Sequence, residues 1–183
     1  ADPVNNQPLA ARRGDGSSYT IRPTAAARDV FDMLRFSQNP AAWRLYQRVG
    51  GRDVLRLARR LGLSGMDANP AAALGGVRRG TNPLEMAQAF AAFGSDGRLP
   101  ETHAVMRIQD LLGNPVWSDR QLPSKMRIER EYARQITVGL RRVVTDGFPQ
   151  LRASLSLARQ RPLAGKTGTS ERHADAWFAG HTP

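Results

Sequence analysis

The sequence predicts an α+β domain, and two observations carry that assignment. Segments with helical periodicity and recognisable caps recur from about Thr24 to Val144. A glycine-thinned strand, Ala164 to Thr169, follows them and is answered by a second apolar segment, Asp175 to Gly180, which makes an antiparallel hairpin. Helical segments together with antiparallel hairpins, rather than alternating βαβ units, read as α+β.

The 183 residues are enough for one domain with a real core, and a hydrophobic fraction of 40% is ordinary for a globular chain. No apolar run is long enough to span a bilayer, so any membrane anchor is expected outside these residues. With no cysteine there is no disulfide framework and no thiolate chemistry. The net charge of +11 comes almost wholly from arginine, spread from Arg12 to Arg172 without a dense cluster. Such a balance permits an anionic polymer as partner. There is no zinc-finger spacing and no aromatic-rich RNA-binding motif, so a solvated basic surface is favoured over a nucleic-acid site.

Taken in order, residues 1–18 are polar and rich in Pro and Gly, which predicts a linker or loop, with the domain proper over 19–183. Thr24 is a candidate cap for a short helix over Ala25 to Leu34. Asn39 before Pro40 predicts a capped helix running to Val49 and stopped by Gly50-Gly51. The next helix places Val54, Leu55, Leu57, Ala58 and Leu61 inward and Arg52, Arg56, Arg59 and Arg60 outward, with Gly62 ending it. A loop covers Ser64 to Gly80. Asn82, Pro83 and Glu85 form the best start signal in the chain, and the largely apolar segment up to Phe93 predicts a buried central helix. His103 to Gln109 and Val116-Trp117 read as strands about a Gly113-Asn114-Pro115 turn, and Glu129 to Val144 as a long helix. Leu151 to Ala158 is ambiguous between helix and strand. The histidines His103, His173 and His181 have no metal-ligand spacing and are expected in loop or surface roles.

Lys166 is one of only two lysines, with Lys125, and it stands inside Gly165-Lys166-Thr167-Gly168-Thr169-Ser170. A phosphate-binding loop would need a glycine where Gln160 stands and a helix after the lysine, and the sequence provides neither. A strand stripped of bulk marks instead where another backbone comes close. The hydroxyls and the ammonium would then face a ligand lying along it, and an anionic peptide suits them.

Four ordered stretches carry a family resemblance: Ser37-Gln38-Asn39 with Pro40-Ala41 and Gln47 to Gly50; Ala73-Leu74-Gly75-Gly76; Asn82 to Phe90; and Ala164 to Thr169 with Asp175 to Gly180. Together they resemble the transpeptidase domain of bifunctional (class A) penicillin-binding proteins, over about Tyr19 to Pro183. The fold implied is the α+β one shared by penicillin-binding proteins and serine β-lactamases, incomplete in this chain. The activity implied is cross-linking of peptidoglycan stem peptides through a serine acyl-enzyme, which penicillin also forms. By the same resemblance Ser37 shuttles a proton to the leaving amine, Asn39 binds the substrate amide, and Lys166 supplies positive potential and orders Ser37. Thr167, Gly168 and Thr169 form the substrate strand, the threonines binding the terminal carboxylate and the Thr169 backbone serving the oxyanion hole. No cofactor or metal is implied.

Partners implied are stem peptides and, in the complete domain, β-lactams, without nucleic acid. The location implied is the extracytoplasmic face of the bacterial inner membrane. No serine in the chain is followed three residues on by lysine, so the family's Ser-x-x-Lys nucleophile is missing and these residues alone are expected to be inactive. The chain is expected to be the middle of such a domain. Two other readings remain open. One is a non-catalytic peptidoglycan-binding scaffold that keeps the strand; the other is a basic polymer binder, whose affinity would fall with salt.

Overall fold

Helix boundaries follow local chemistry closely in this chain. The structure, a computed structural model, describes residues 3–12, 15–119, 124–147, 161–170 and 174–182. Asn82 Oδ1 accepts from the Glu85 N–H at 2.9 Å and Pro83 opens the helix, as the start signal predicts. The Glu85 carboxylate accepts from the hydroxyls of Ser64 (2.6 Å) and Thr81 (3.0 Å), which anchors the preceding loop to the first turn.

The elements in chain order are β1 (Leu9–Arg12), β2 (Ser18–Ile21), α1 (Val30–Arg35), α2 (Asn39–Val49), α3 (Gly51–Arg60), a 3₁₀ turn (Pro70–Leu74) and α4 (Pro83–Gly94). Then follow β3 (Arg98–Leu99), β4 (Arg107–Gln109), β5 (Pro115–Ser118), β6 (Lys125–Met126), α5 (Arg130–Arg142), a π-helical turn (Val143–Gly147), β7 (Ala164–Thr169) and β8 (Ala176–His181). Among the described residues the strands form four antiparallel pairs, β1 with β2, β3 with β6, β4 with β5 and β7 with β8.

The core sits where α4 crosses α5. Ala89, Ala92 and Ala133 are almost wholly buried there with Leu61 and Ile128, and Leu63, Phe93 and Leu99 pack around them. Small side chains at the crossing let the two helices approach closely. The bidentate pair from Arg134 to Asp96, at 2.8 and 3.0 Å, ties the end of α4 to α5 from outside.

Several expectations are corrected. Residues 1–18 are not all linker, since β1 lies within them and pairs in register with β2, Leu9 opposite Ile21. Thr24 caps nothing: Asp29 caps α1 by accepting from the Asp32 N–H at 2.8 Å, and α1 is shorter than predicted. Asn39 is the first residue of α2 rather than its cap, and no side chain caps that helix. The helix α4 buries alanines but leaves Leu84 61% exposed, because its outer face meets solvent. Of the strand expected from His103, only Arg107–Gln109 pairs. The arginines are also less dispersed than the sequence suggests. Arg52, Arg56, Arg59 and Arg60 share one face of α3 and, with Arg127, surround a single open depression floored by Leu55. The ambiguous segment Leu151 to Ala158 lies outside the described residues.

Candidate active site: Ser37 and Lys166

The end of α1 sets the site. The Ser37 N–H donates to the Leu34 carbonyl at 3.2 Å, and the Gln38 N–H to the Met33 carbonyl at 2.9 Å. These two bonds make a Schellman ending, with Ser37 at the left-handed position where glycine is usual. Its φ is +52°, a conformation that costs a residue with a Cβ about 1 kcal/mol. The helix α2 then starts at once, so Ser37, Gln38 and Asn39 form a corner between two helices. Ser37 and Asn39 are exposed on this corner and Gln38 between them is buried.

Ser37→Gly is expected to be about 1 kcal/mol more stable than Ser37→Ala, because both lose the bond from Lys166 and only glycine adopts this backbone freely. Thermal unfolding checks it, and a glycine midpoint equal to or below that of alanine would show that this backbone is relaxed. If Ser37 acts as proposed below, both variants lose function alike, whatever their difference in stability.

Lys166 reaches this corner from a strand 129 residues away. Both partners are braced on the π turn: α1 and β7 each pack against it, and Val143 and Val144 are almost completely buried within it. A Cβ on Gly147 would stand 2.5 Å from the Arg35 carbonyl oxygen, so the turn holds the last residue of α1 directly. With both elements seated, Lys166 Nζ donates to Ser37 Oγ at 3.0 Å and to the Thr167 carbonyl at 3.0 Å. An ammonium has three protons, so one has no acceptor among the described residues. Burial lowers the Lys166 pKa from its ordinary value.

The hairpin of β7 and β8 pairs Lys166 with Ala179, Thr167 with Phe178 and Gly168 with Trp177. Alternation therefore puts Lys166 and Gly168 on one face and Thr167 and Thr169 on the other. A ligand that touches Lys166 and both threonines has to lie along the edge of β7. That edge is unpaired among the described residues.

The two glycines of the strand differ in cause. At Gly165 a Cβ would collide with the edge of the Phe178 ring and stand 2.8 Å from the Ala179 carbonyl oxygen, so the fold itself excludes a side chain. At Gly168 the nearest atom would be Trp177 Cβ at 3.9 Å, ordinary contact distance. Nothing within the described chain requires glycine there.

Of the residues expected to act together, Ser37 and Lys166 meet. Asn39 lies two residues from Ser37, and its side chain makes no hydrogen bond among the described residues. Gln38 was not singled out from sequence, yet it holds the corner. Its Oε1 accepts from the N–H groups of Thr24 (2.9 Å) and Ala25 (3.1 Å) and from Asn6 Nδ2 (3.3 Å). Its Nε2 donates to Thr24 Oγ1 (2.8 Å) and to the Phe36 carbonyl (2.5 Å). His181 also departs from expectation, since it lies half-buried on β8 with Nε2 3.4 Å from Thr137 Oγ1. Burial lowers its pKa. His103 keeps a surface role, paired with Asp119, and His173 lies outside the described residues.

Comparison with known proteins shows the family and the fold. A family model described as the penicillin binding protein transpeptidase domain matches residues 7–183. Penicillin-binding protein 1F of Bacillus subtilis is 31% identical over 159 residues, covering 83% of this chain and 21% of that protein. Penicillin-binding protein 2a of Streptococcus pneumoniae is 34% identical over 109 residues, covering 56% of this chain and 14% of that protein. The crystal structure of penicillin-binding protein 1A from Haemophilus influenzae superposes with a TM-score of 0.79 at 21% identity, over 97% of this chain and 32% of that one. The D,D-transpeptidase domain of a peptidoglycan glycosyltransferase from Eggerthella lenta gives 0.73 at 20% identity, over 100% of this chain and 52% of that one. The chain thus spans only a minor part of the curated relatives' length, and the likeness to the solved structures establishes the fold.

Proposed function

This chain belongs to the penicillin-binding-protein transpeptidase family, and on that footing we propose that it supplies the proton relay and the peptide-binding strand of a peptidoglycan DD-transpeptidase. The observation that carries the proposal is the bond from Lys166 Nζ to Ser37 Oγ. Because the ammonium can only donate, Ser37 Oγ accepts from it and the Ser37 proton stays free to point at a substrate. In acyl transfer the nucleophile's oxygen adds to the carbonyl carbon and its proton passes to Ser37. Ser37 gives its own proton to the nitrogen of the departing D-alanine as the C–N bond breaks and the ester to the nucleophile is left. An amine from a neighbouring strand then attacks the ester, and a peptide bond replaces it.

The stem peptide would lie along the open edge of β7 as an added strand. There Lys166 and the Thr167 and Thr169 hydroxyls meet its terminal carboxylate, the Thr169 N–H helps the oxyanion hole, and Asn39 holds the substrate amide. On this reading the acylating serine lies in a segment outside these 183 residues, since no serine among them is followed three positions on by lysine. The proposed setting is the extracytoplasmic face of the bacterial inner membrane. No helix among the described residues is long and apolar enough to cross a membrane. The same missing motif supports a second reading, a peptidoglycan-binding scaffold that keeps the strand and performs no chemistry.

Intact-mass spectrometry after incubation with excess benzylpenicillin separates the readings. The expected result is no adduct on this chain and one adduct when the preceding coding sequence is included. An adduct on this chain would overturn the assignment of the nucleophile, and none on either would leave the scaffold as the better reading.

A further inference from the structure

We propose that Gln38 is a positioning residue, an internal latch whose buried side-chain amide fixes Ser37 against Lys166 by tying the corner of α1 and α2 to the segment around Asn6 and Thr24. The inference rests on the reading of Ser37 and Lys166 as the site and extends it to residues that touch neither substrate nor reacting atoms. Gln38 is 1% exposed and is the one polar or charged residue counted as buried among the described residues. Both ends of its amide are engaged. The oxygen collects three donors and the nitrogen serves two acceptors, on Asn6, Thr24, Ala25 and Phe36.

An apolar side chain of similar length would fill the volume equally well, so packing alone does not account for an amide here. What the amide adds is direction. The bond to the Phe36 carbonyl and the bonds to Thr24 and Ala25 hold Gln38 inward, and the alternation of the corner then turns Ser37 and Asn39 outward. The left-handed Ser37 backbone is kept in place from its C-terminal side by this latch and from its N-terminal side by the end of α1. Asn6 and Arg44 extend the bracing. Asn6 Nδ2 also donates to the Ala25 carbonyl at 2.8 Å, and Arg44 donates to the Gln7 carbonyl at 2.6 Å and the Pro8 carbonyl at 3.0 Å. The N-terminal arm thereby becomes part of the site's support.

The scarcity of lysine makes a direct test possible. The 183-residue chain, labelled with ¹³Cε-lysine, gives two lysine cross-peaks, and Lys125→Arg assigns them. Gln38→Met keeps the length and deletes all five bonds. It is expected to move the Lys166 cross-peak at least half of the way toward that of the exposed Lys125, while circular dichroism still reports a folded chain. Thr24→Val, a milder break of the same latch, is expected to move it less and in the same direction. Tyr46→Phe removes a bond to the Asn69 carbonyl elsewhere in α2 and serves as the control for lost stability, expected to leave the peak in place. An unmoved Lys166 peak in folded Gln38→Met overturns the proposal. If that variant does not fold, an unmoved peak in Thr24→Val does the same, and so does an equal displacement in Tyr46→Phe. The readout needs no acylation, so its outcome is separate from that of the penicillin experiment.

Discussion

Replacing Lys166 with methionine is expected to slow acylation by benzylpenicillin about 10³-fold in the protein that includes the preceding coding sequence. The side chain supplies a donor to Ser37 Oγ, a positive potential and one N–H with no acceptor among the described residues, and methionine keeps only the bulk. Lys166→Arg should recover little, because a planar fork cannot reproduce a compact ammonium held between Ser37 Oγ and the Thr167 carbonyl. Stopped-flow acylation rates check this, and a loss below 10-fold would remove Lys166 from the chemistry. The variant carries a second signature in stability. Burial lowers the folded-state pKa of Lys166, so the folded chain releases this proton at lower pH than the unfolded chain does. Between the lowered value and the ordinary lysine value the unfolded state binds more protons, and stability rises with pH across that window. Relative to the parent chain, Lys166→Met should lack that rise. Groups common to both cancel in the comparison.

The second large effect separates the two glycines of β7. Gly165→Ala is expected to cost about 2–3 kcal/mol, because the new methyl meets the Phe178 ring and the Ala179 carbonyl oxygen and the hairpin has to open. A fall in melting temperature of about 4–12 °C follows for a chain of this length. Gly168→Ala finds only the 3.9 Å contact to Trp177 Cβ and is expected to change stability by less than about 0.5 kcal/mol. Its effect should appear instead in acylation of the longer protein, slowed on the order of 10-fold by a methyl group where the ligand backbone approaches. Equal stability losses in the two variants would sink the distinction, and normal acylation by Gly168→Ala would mean that the bound peptide passes elsewhere.

The contact between Ser37 and Lys166 is foreshadowed in the sequence because its parts carry unusual chemistry. A lysine among small hydroxylated residues, in a chain with one other lysine, points to itself. The Asn82-Pro83 start was equally plain, since its cap acts within one helical turn. What stayed hidden depends on distant partners or on missing punctuation. Ser37 ends α1 in a conformation that sequence normally advertises with glycine, so the end of α1 and the cap expected at Asn39 are misread together. A glutamine in a loop carries no sign that Thr24 and Asn6 will surround it. His181 gave no signal because its burial depends on Gly94 and Thr137 of two other helices. The arginines of α3 gather with Arg127 only after residues nearly seventy apart in sequence are brought together.

The bond between Ser37 and Lys166 spans 129 positions, and that separation has a kinetic meaning. Closing a loop of such length, with nothing else formed, costs about 4 kcal/mol of chain entropy, so contacts of this kind form late. Helices α1 to α5 are local structures and can be present while β7 is still undocked. A preparation with full helical signal can therefore be blind at its site. Reactivity at Ser37 and Lys166, rather than helix content, is the measure of whether the last step of assembly has taken place.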